Sequence, residues 1–125
     1  MVVFWKLDSL PFKTAVLFCA LSFLIYSVSC LTTARMKLEF ERYGLARFRT
    51  LTGSLQLLGV AGLLVGIQYP TIGAVTAGGF TVQMLLALGV RLRINDSVIE
   101  CFPAGAFCAL NAGLFAGYLD AVWSN

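Results

Sequence analysis

Three amide side chains lie within long apolar runs, Gln56, Gln83 and Asn111, and they are the groups best suited to hold a small molecule. An amide in hydrocarbon needs hydrogen-bond partners, so each is expected to face the interior of a helical bundle. There it can bond a neighbouring helix or a ligand. Together with Tyr26 and the hydroxyls of Ser22 and Thr52, these amides could hydrogen-bond a quinone carbonyl or a lipid headgroup. Nothing beside them supplies redox chemistry or a proton relay.

Nucleophilic and metal chemistry find little support. The chain has no histidine, which removes His-ligated haem, His-containing zinc sites, Ser-His-Asp triads and Cys-His pairs from its own repertoire. Cys19, Cys30, Cys101 and Cys108 contain no CxxC pair. Cys101 and Cys108, seven residues apart, would lie two helical turns or ~10.5 Å apart, too far for an unstrained disulfide. The four thiols read as small buried hydrophobes. No catalytic residue, metal or obligatory cofactor is expected.

The elements that must position the amides are transmembrane helices. Hydrophobic residues make up 59% of the 125 residues and charged residues 12%, with a mean hydropathy of +0.87. A soluble domain of this size could not bury that much apolar surface. The fold class expected is an all-α integral membrane four-helix bundle of antiparallel, up-and-down topology, a single domain over residues 1–125. Spans are expected near 12–32, 51–69, 72–92 and 103–123.

Ser9 and Pro11 have the spacing of a cap and first-turn proline for the first span. Ser27-Val28-Ser29-Cys30 loosely resembles a lipoprotein cleavage site, but Ser27 stands where a larger aliphatic residue belongs and further spans follow, so the run is read as a span. Pro70 closes the second span and implies a tight hairpin into the third. Ser97 and Glu100 have capping-box spacing, yet Pro103 would sit inside a helix begun there, and the last span is placed from Pro103 onward. Tyr118 and Trp123 read as interfacial anchors.

Residues 33–50 form an amphipathic connector, read as the first helix continuing beyond the membrane. Met36, Phe40 and Tyr43 share one face, Arg35/Glu39 and Lys37/Glu41 are spaced as i,i+4 pairs, and Gly44 is the expected stop. Arg35, Lys37, Arg42, Arg47 and Arg49 outnumber Glu39 and Glu41, so the connector could contact anionic headgroups or an acidic partner. With Arg91 and Arg93 these make seven basic residues in two connections, against Lys6 and Lys13 elsewhere. The positive-inside rule then places both termini outside the cytoplasm. The charges flank apolar runs rather than a groove with stacking aromatics, so no nucleic-acid partner is expected.

Small residues mark where helices can approach closely. Gly62 and Gly66 form a GxxxG step, and Gly105, Ala109, Gly113 and Gly117 recur every four residues. These are expected either to pack the bundle internally or to dock another subunit.

Glu39 to Leu45 (EFERYGL), Phe48-Arg49, and Leu51 to Gly59 (LTGSLQLLG) together resemble the DoxX-like family of small four-helix membrane proteins. The resemblance implies a charged segment after the first helix and a Gly-x-x-Glu/Gln-Leu start to the second, matched here by Gly53, Gln56 and Leu57. Where that family often carries Glu this chain has Gln56. Some relatives are subunits associated with thiosulfate:quinone oxidation, and an animal relative assists receptor assembly.

The functional expectation is therefore a non-catalytic accessory or assembly subunit of a larger membrane complex, located in a bacterial inner membrane or an organelle membrane. Its partners would be membrane lipid and other membrane subunits or further copies of itself. The alternative is a quinone-binding component of a membrane oxidoreductase.

Overall fold

Ser9 is extended and its hydroxyl accepts the Phe12 N–H at 3.4 Å, while Pro11 occupies the first turn, so the chain enters α1 at Leu10 and continues to Thr32. The computed structural model describes residues 9–124. Lys6, which contributes to the charge count above, lies outside the described residues. Four further helices follow: α2 (Ala34–Tyr43), α3 (Arg49–Val65, preceded by a 3-10 turn at Ala46–Phe48), α4 (Pro70–Arg93) and α5 (Val98–Ser124). The described residues contain no strand.

Four segments are long and apolar enough to cross a membrane: Leu10–Thr32, Ala46–Val65, Pro70–Arg93 and Val98–Trp123. Leu17, Phe18, Leu21 and Ile25 are each 57–61% exposed along α1. Such a face belongs against lipid rather than water. Between helices in lipid, dispersion and hydrogen bonds replace the hydrophobic drive. The core accordingly combines ring contacts with small residues. Phe23 stacks on Phe80 at 4.3 Å, and Phe12 meets Tyr118 edge-on at 5.1 Å. At the α3–α4 seam Gly66 lies against Gly73, Gly62 against Thr76 and Gly59 against Phe80. A Cβ at Gly66 would collide with the Gly73 backbone.

The connector departs from expectation in two ways. The first helix does not run on beyond the span, because Thr33 interrupts it with extended backbone (φ −101°, ψ 144°). The Thr33 hydroxyl donates to the Ser29 carbonyl at 2.8 Å and accepts the Met36 N–H at 3.3 Å, closing α1 and opening α2 with one side chain. Nor do the i,i+4 pairs form among the described residues. Glu39 instead accepts from Arg42, three residues on, at 2.7 Å, and Arg42 also donates to Asp96 on the connection between α4 and α5. The face of Met36, Phe40 and Tyr43 is buried as expected. Gly44 ends α2 at φ 76°, a left-handed conformation suited to glycine.

Two corrections concern α5. It begins at Val98, five residues before Pro103. The Ser97 hydroxyl accepts the Glu100 N–H at 3.2 Å and the Glu100 carboxylate accepts the Ser97 N–H at 3.2 Å. This capping box holds the first turn, and Pro103 removes only one N–H near the helix start. Tyr118 is not an interfacial anchor but fully buried, and its hydroxyl donates to the Leu63 carbonyl at 2.7 Å. Trp123, at 80% exposure, remains at the periphery.

Candidate functional site

Gln56 lies on the third turn of α3, three residues beyond Gly53. A Cβ at Gly53 would stand 2.9 Å from the Leu31 side chain, so its absence brings α3 close to the end of α1. That approach buries Gln56 to 1% exposure. Its Oε1 has no hydrogen-bond partner among the described residues, and no other buried side-chain oxygen or nitrogen there shares that state. A buried, unpaired carbonyl oxygen costs about 1–3 kcal/mol.

Gln56 lines a cavity of about 220 Å3 between α1, α2, α3 and α4. Tyr26, Tyr43, Thr52, Gln83 and Arg91 supply its other polar groups, and Phe40, Met84 and Val90 are among its apolar walls. A mostly apolar chamber with a few convergent polar groups is the usual character of a small-molecule site. A second cavity of about 200 Å3 adjoins it through Tyr26, Met84, Ala87 and Arg91, and reaches α5 at Ala104 and Phe107. A polar groove of about 460 Å3 opens on the same two residues, Tyr26 and Arg91, beneath the start of α2.

The roof of this region is a charged cluster. Asp96, its side chain 5% exposed, accepts from Arg42 at 2.7 Å and from Arg91 at 3.0 Å. The Arg42 hydrogen bond, assisted by Arg91, holds the Asp96 carboxyl below the usual carboxylate range. The same bond, with Glu39, raises Arg42 further above its ordinary value. Tyr43 is buried between the two cations, each guanidinium carbon 5.4 Å from its ring centroid, and burial pushes its phenol up.

The structure thus brings together Gln56, Gln83 and Tyr26 and separates Asn111 from them. Asn111 is fully buried between α1 and α5, where Nδ2 donates to the Phe107 carbonyl at 2.8 Å and Oδ1 accepts the Cys19 thiol at 3.5 Å. It is an interhelical bond with no free group for a ligand. Among the connector cations, Arg35, Lys37 and Arg47 are exposed, with Arg47 stacked over the Phe48 ring at 4.8 Å. Arg42 is committed to Glu39 and Asp96, and Arg49 donates to the Cys30 carbonyl at 2.6 Å, closing the end of α1.

The small residues divide. Gly62, Gly66 and Gly117 face Thr76, Gly73 and Phe12 inside the bundle. Gly113 is half-buried, Ala109 is exposed, and a Cβ at Gly105 would meet open space.

A profile of the DoxX-like family matches residues 14–114. The chain belongs to the DoxX-like family. No curated protein and no solved structure matches it. With four membrane-crossing helices and this family, it is a small integral membrane protein. The matched segment contains all of the cavity-lining residues, from Tyr26 to Arg91. In this DoxX-like chain the Gly-x-x-Gln-Leu segment acquires a physical reading: Gly53 sets the approach of two helices, and Gln56 stands buried in the wall of the cavity.

Sequence reasoning undervalued Arg91, read there only as a topology signal. It lines both cavities and the groove and bonds Asp96. The signal that could have found it is the placement of an arginine inside the last turn of an apolar helix, followed by a loop carboxylate.

Proposed function

We propose that this DoxX-like protein is a non-catalytic accessory subunit of a membrane complex that works by holding a small amphiphile in the cavity beneath α2. The observation that carries this reading is the unpartnered Oε1 of Gln56. A fold with nothing to bind gains from Leu at that position, since an apolar residue of similar volume removes the desolvation cost. Retaining the amide is rational where a ligand supplies the missing bond. A side-chain amide both donates and accepts, so a hydroxyl, amine or carbonyl group at that depth would satisfy it.

A second reading is favoured by the same atom. A quinol hydroxyl would donate to the Gln56 amide oxygen, and a quinone carbonyl would accept from its N–H. The protein would then be the quinol-holding component of an oxidoreductase whose redox groups reside in a partner chain.

The helices are proposed to cross the bilayer up and down, with both termini outside the cytoplasm and the Arg35–Arg49 and Arg91–Arg93 ends inside it. The paired registers Gly66/Gly73, Gly62/Thr76 and Gly59/Phe80 support an antiparallel course, and the distribution of Lys and Arg supports the sidedness.

Purification in mild detergent followed by native mass spectrometry tests the reading. The wild type should carry one tightly held amphiphile per chain, and Gln56→Leu should retain its fold but lose that mass. A wild-type protein that is folded and free of bound small molecules would overturn it. A mass with the absorbance change of a quinol on oxidation would select the second reading.

A further inference from the structure

The cavity at Gln56, its neighbour and the polar groove share two walls, Tyr26 and Arg91. The three spaces adjoin at these residues and describe a polarity gradient, from apolar chambers within the helices, one of them walled by the amides Gln56 and Gln83, to a charged groove at the level of the connector. Together the two chambers reach the range of roughly 300–1,000 Å3 typical of ligand sites. That gradient is the shape of an amphiphile, with a chain inside and a headgroup at the mouth.

The charge of the mouth specifies the headgroup. Arg35, Arg91, Glu39 and Glu100 are its charged residues. Both carboxylates are occupied by the protein itself. Glu39 accepts from Arg42 at 2.7 Å, and Glu100 accepts from the Ser97 hydroxyl at 3.0 Å and from its N–H. Arg91 is bonded to Asp96, but Arg35 is exposed and has no ion-pair partner among the described residues. Ser22 and Ser29 place hydroxyl groups on the same groove. Of the four charged side chains at the mouth, Arg35 is the one that makes no hydrogen bond or ion pair with another described residue. Arg35 follows Thr32, the last residue of the first apolar span, by three positions, which sets it at the depth of lipid headgroups.

We infer that the amphiphile is anionic, a phosphate- or carboxylate-headed lipid whose acidic group lies against Arg35 with Arg91 behind it and whose chain enters the Gln56 cavity. This deepens the amphiphile-binding reading and rests on it. Arg35 is a headgroup-selecting residue, distinct from Gln56, whose amide lies further inside.

Delipidated protein is offered phosphatidylcholine vesicles, the same vesicles containing phosphatidylglycerol, and the same vesicles containing oleate, and bound lipid is read by native mass spectrometry. The wild type should prefer an anionic lipid over phosphatidylcholine by roughly fivefold, the ratio one basic residue at a membrane surface supplies. Arg35→Gln should abolish the preference without abolishing binding, and Arg35→Lys should restore most of it. Phosphatidylglycerol selected over oleate identifies a phospholipid as the source, and the reverse identifies a free fatty acid. Binding that depends on Gln56 but shows equal affinity for neutral and anionic lipid would overturn the anionic headgroup while leaving the cavity reading intact. Binding of no lipid by the wild type would remove both.

Discussion

Arg42 and Asp96, 54 residues apart in sequence, are joined by a 2.7 Å hydrogen bond from Nη1 to Oδ1. That bond ties α2 to the connection between α4 and α5, and Arg91 completes it from below at 3.0 Å. This cluster closes the basic end of the bundle, beside the cavity that Arg91 also lines.

Asp96 gives the closure a pH dependence. Its carboxyl lies below the ordinary value of 3.8, chiefly through the Arg42 hydrogen bond. A depressed folded-state value means the tie is complete above the ordinary value and is lost as pH falls through the depressed one. The thermal midpoint in mild detergent should stay level from neutral pH to about pH 4 and fall below it. Asp96→Asn should lower the neutral midpoint and remove most of that acid fall; an undiminished fall in the variant would assign it to another carboxylate.

Tyr118 predicts a loss at the opposite end. The last backbone bonds of α3 go to the carbonyls of Gly62, Leu64 and Val65, and the Tyr118 hydroxyl takes the carbonyl of Leu63. Tyr118→Phe keeps the edge contact with Phe12 but leaves that carbonyl unpaired, costing about 1–3 kcal/mol. Gly73→Leu should cost more, since any Cβ there meets the Tyr118 ring. Denaturant titration in detergent micelles, followed by tryptophan fluorescence, would measure both; a neutral Tyr118→Phe would show that the carbonyl finds another donor.

The capping box at Ser97 and Glu100 should be worth about 1 kcal/mol to the start of α5. Ser97→Ala should speed amide hydrogen exchange across Val98–Phe102 while leaving Leu110–Tyr118 unchanged. Uniform acceleration along the whole helix would mean that the box supports the bundle rather than its own turn.

The four spans were legible because eighteen or more apolar residues in a row have few alternatives to a membrane helix. Gly44 and the buried face of Met36, Phe40 and Tyr43 were legible for similarly local reasons. Three features were not, two because they turn on a partner far away in sequence and one because of helical pitch. Glu39, spaced for Arg35, bonds Arg42 instead, and Arg42 reaches on to Asp96 across the connection. Tyr118 reads as an interfacial aromatic until Leu63 is placed beside it. The small-residue series from Gly105 to Gly117 looks like one face, but a step of four residues advances roughly 40° beyond a full turn, so three steps carry Gly117 inward while Gly105 stays outward.

The candidate site was legible in part. Gln56, Gln83 and Tyr26 were recognisable as polar groups inside spans, and they do share a cavity. Asn111 carries the same sequence signal but finds its bonds at Phe107 and Cys19. A polar residue in an apolar run announces that a partner exists, without saying whether the partner is protein or ligand. The unpartnered Oε1 of Gln56 sets it apart from Asn111, and that difference is visible only when the neighbours are in place.

The most direct test compares the thermal stability of delipidated wild type and Gln56→Leu, each with and without the lipid recovered from the wild type. The account predicts that the lipid-free variant is as stable as the wild type or more so, by about 1–3 kcal/mol, and that only the wild type is stabilised by added lipid. A lipid-free variant that is clearly less stable than the wild type would contradict it, because the amide would then be bonded within the fold and not held ready for a ligand.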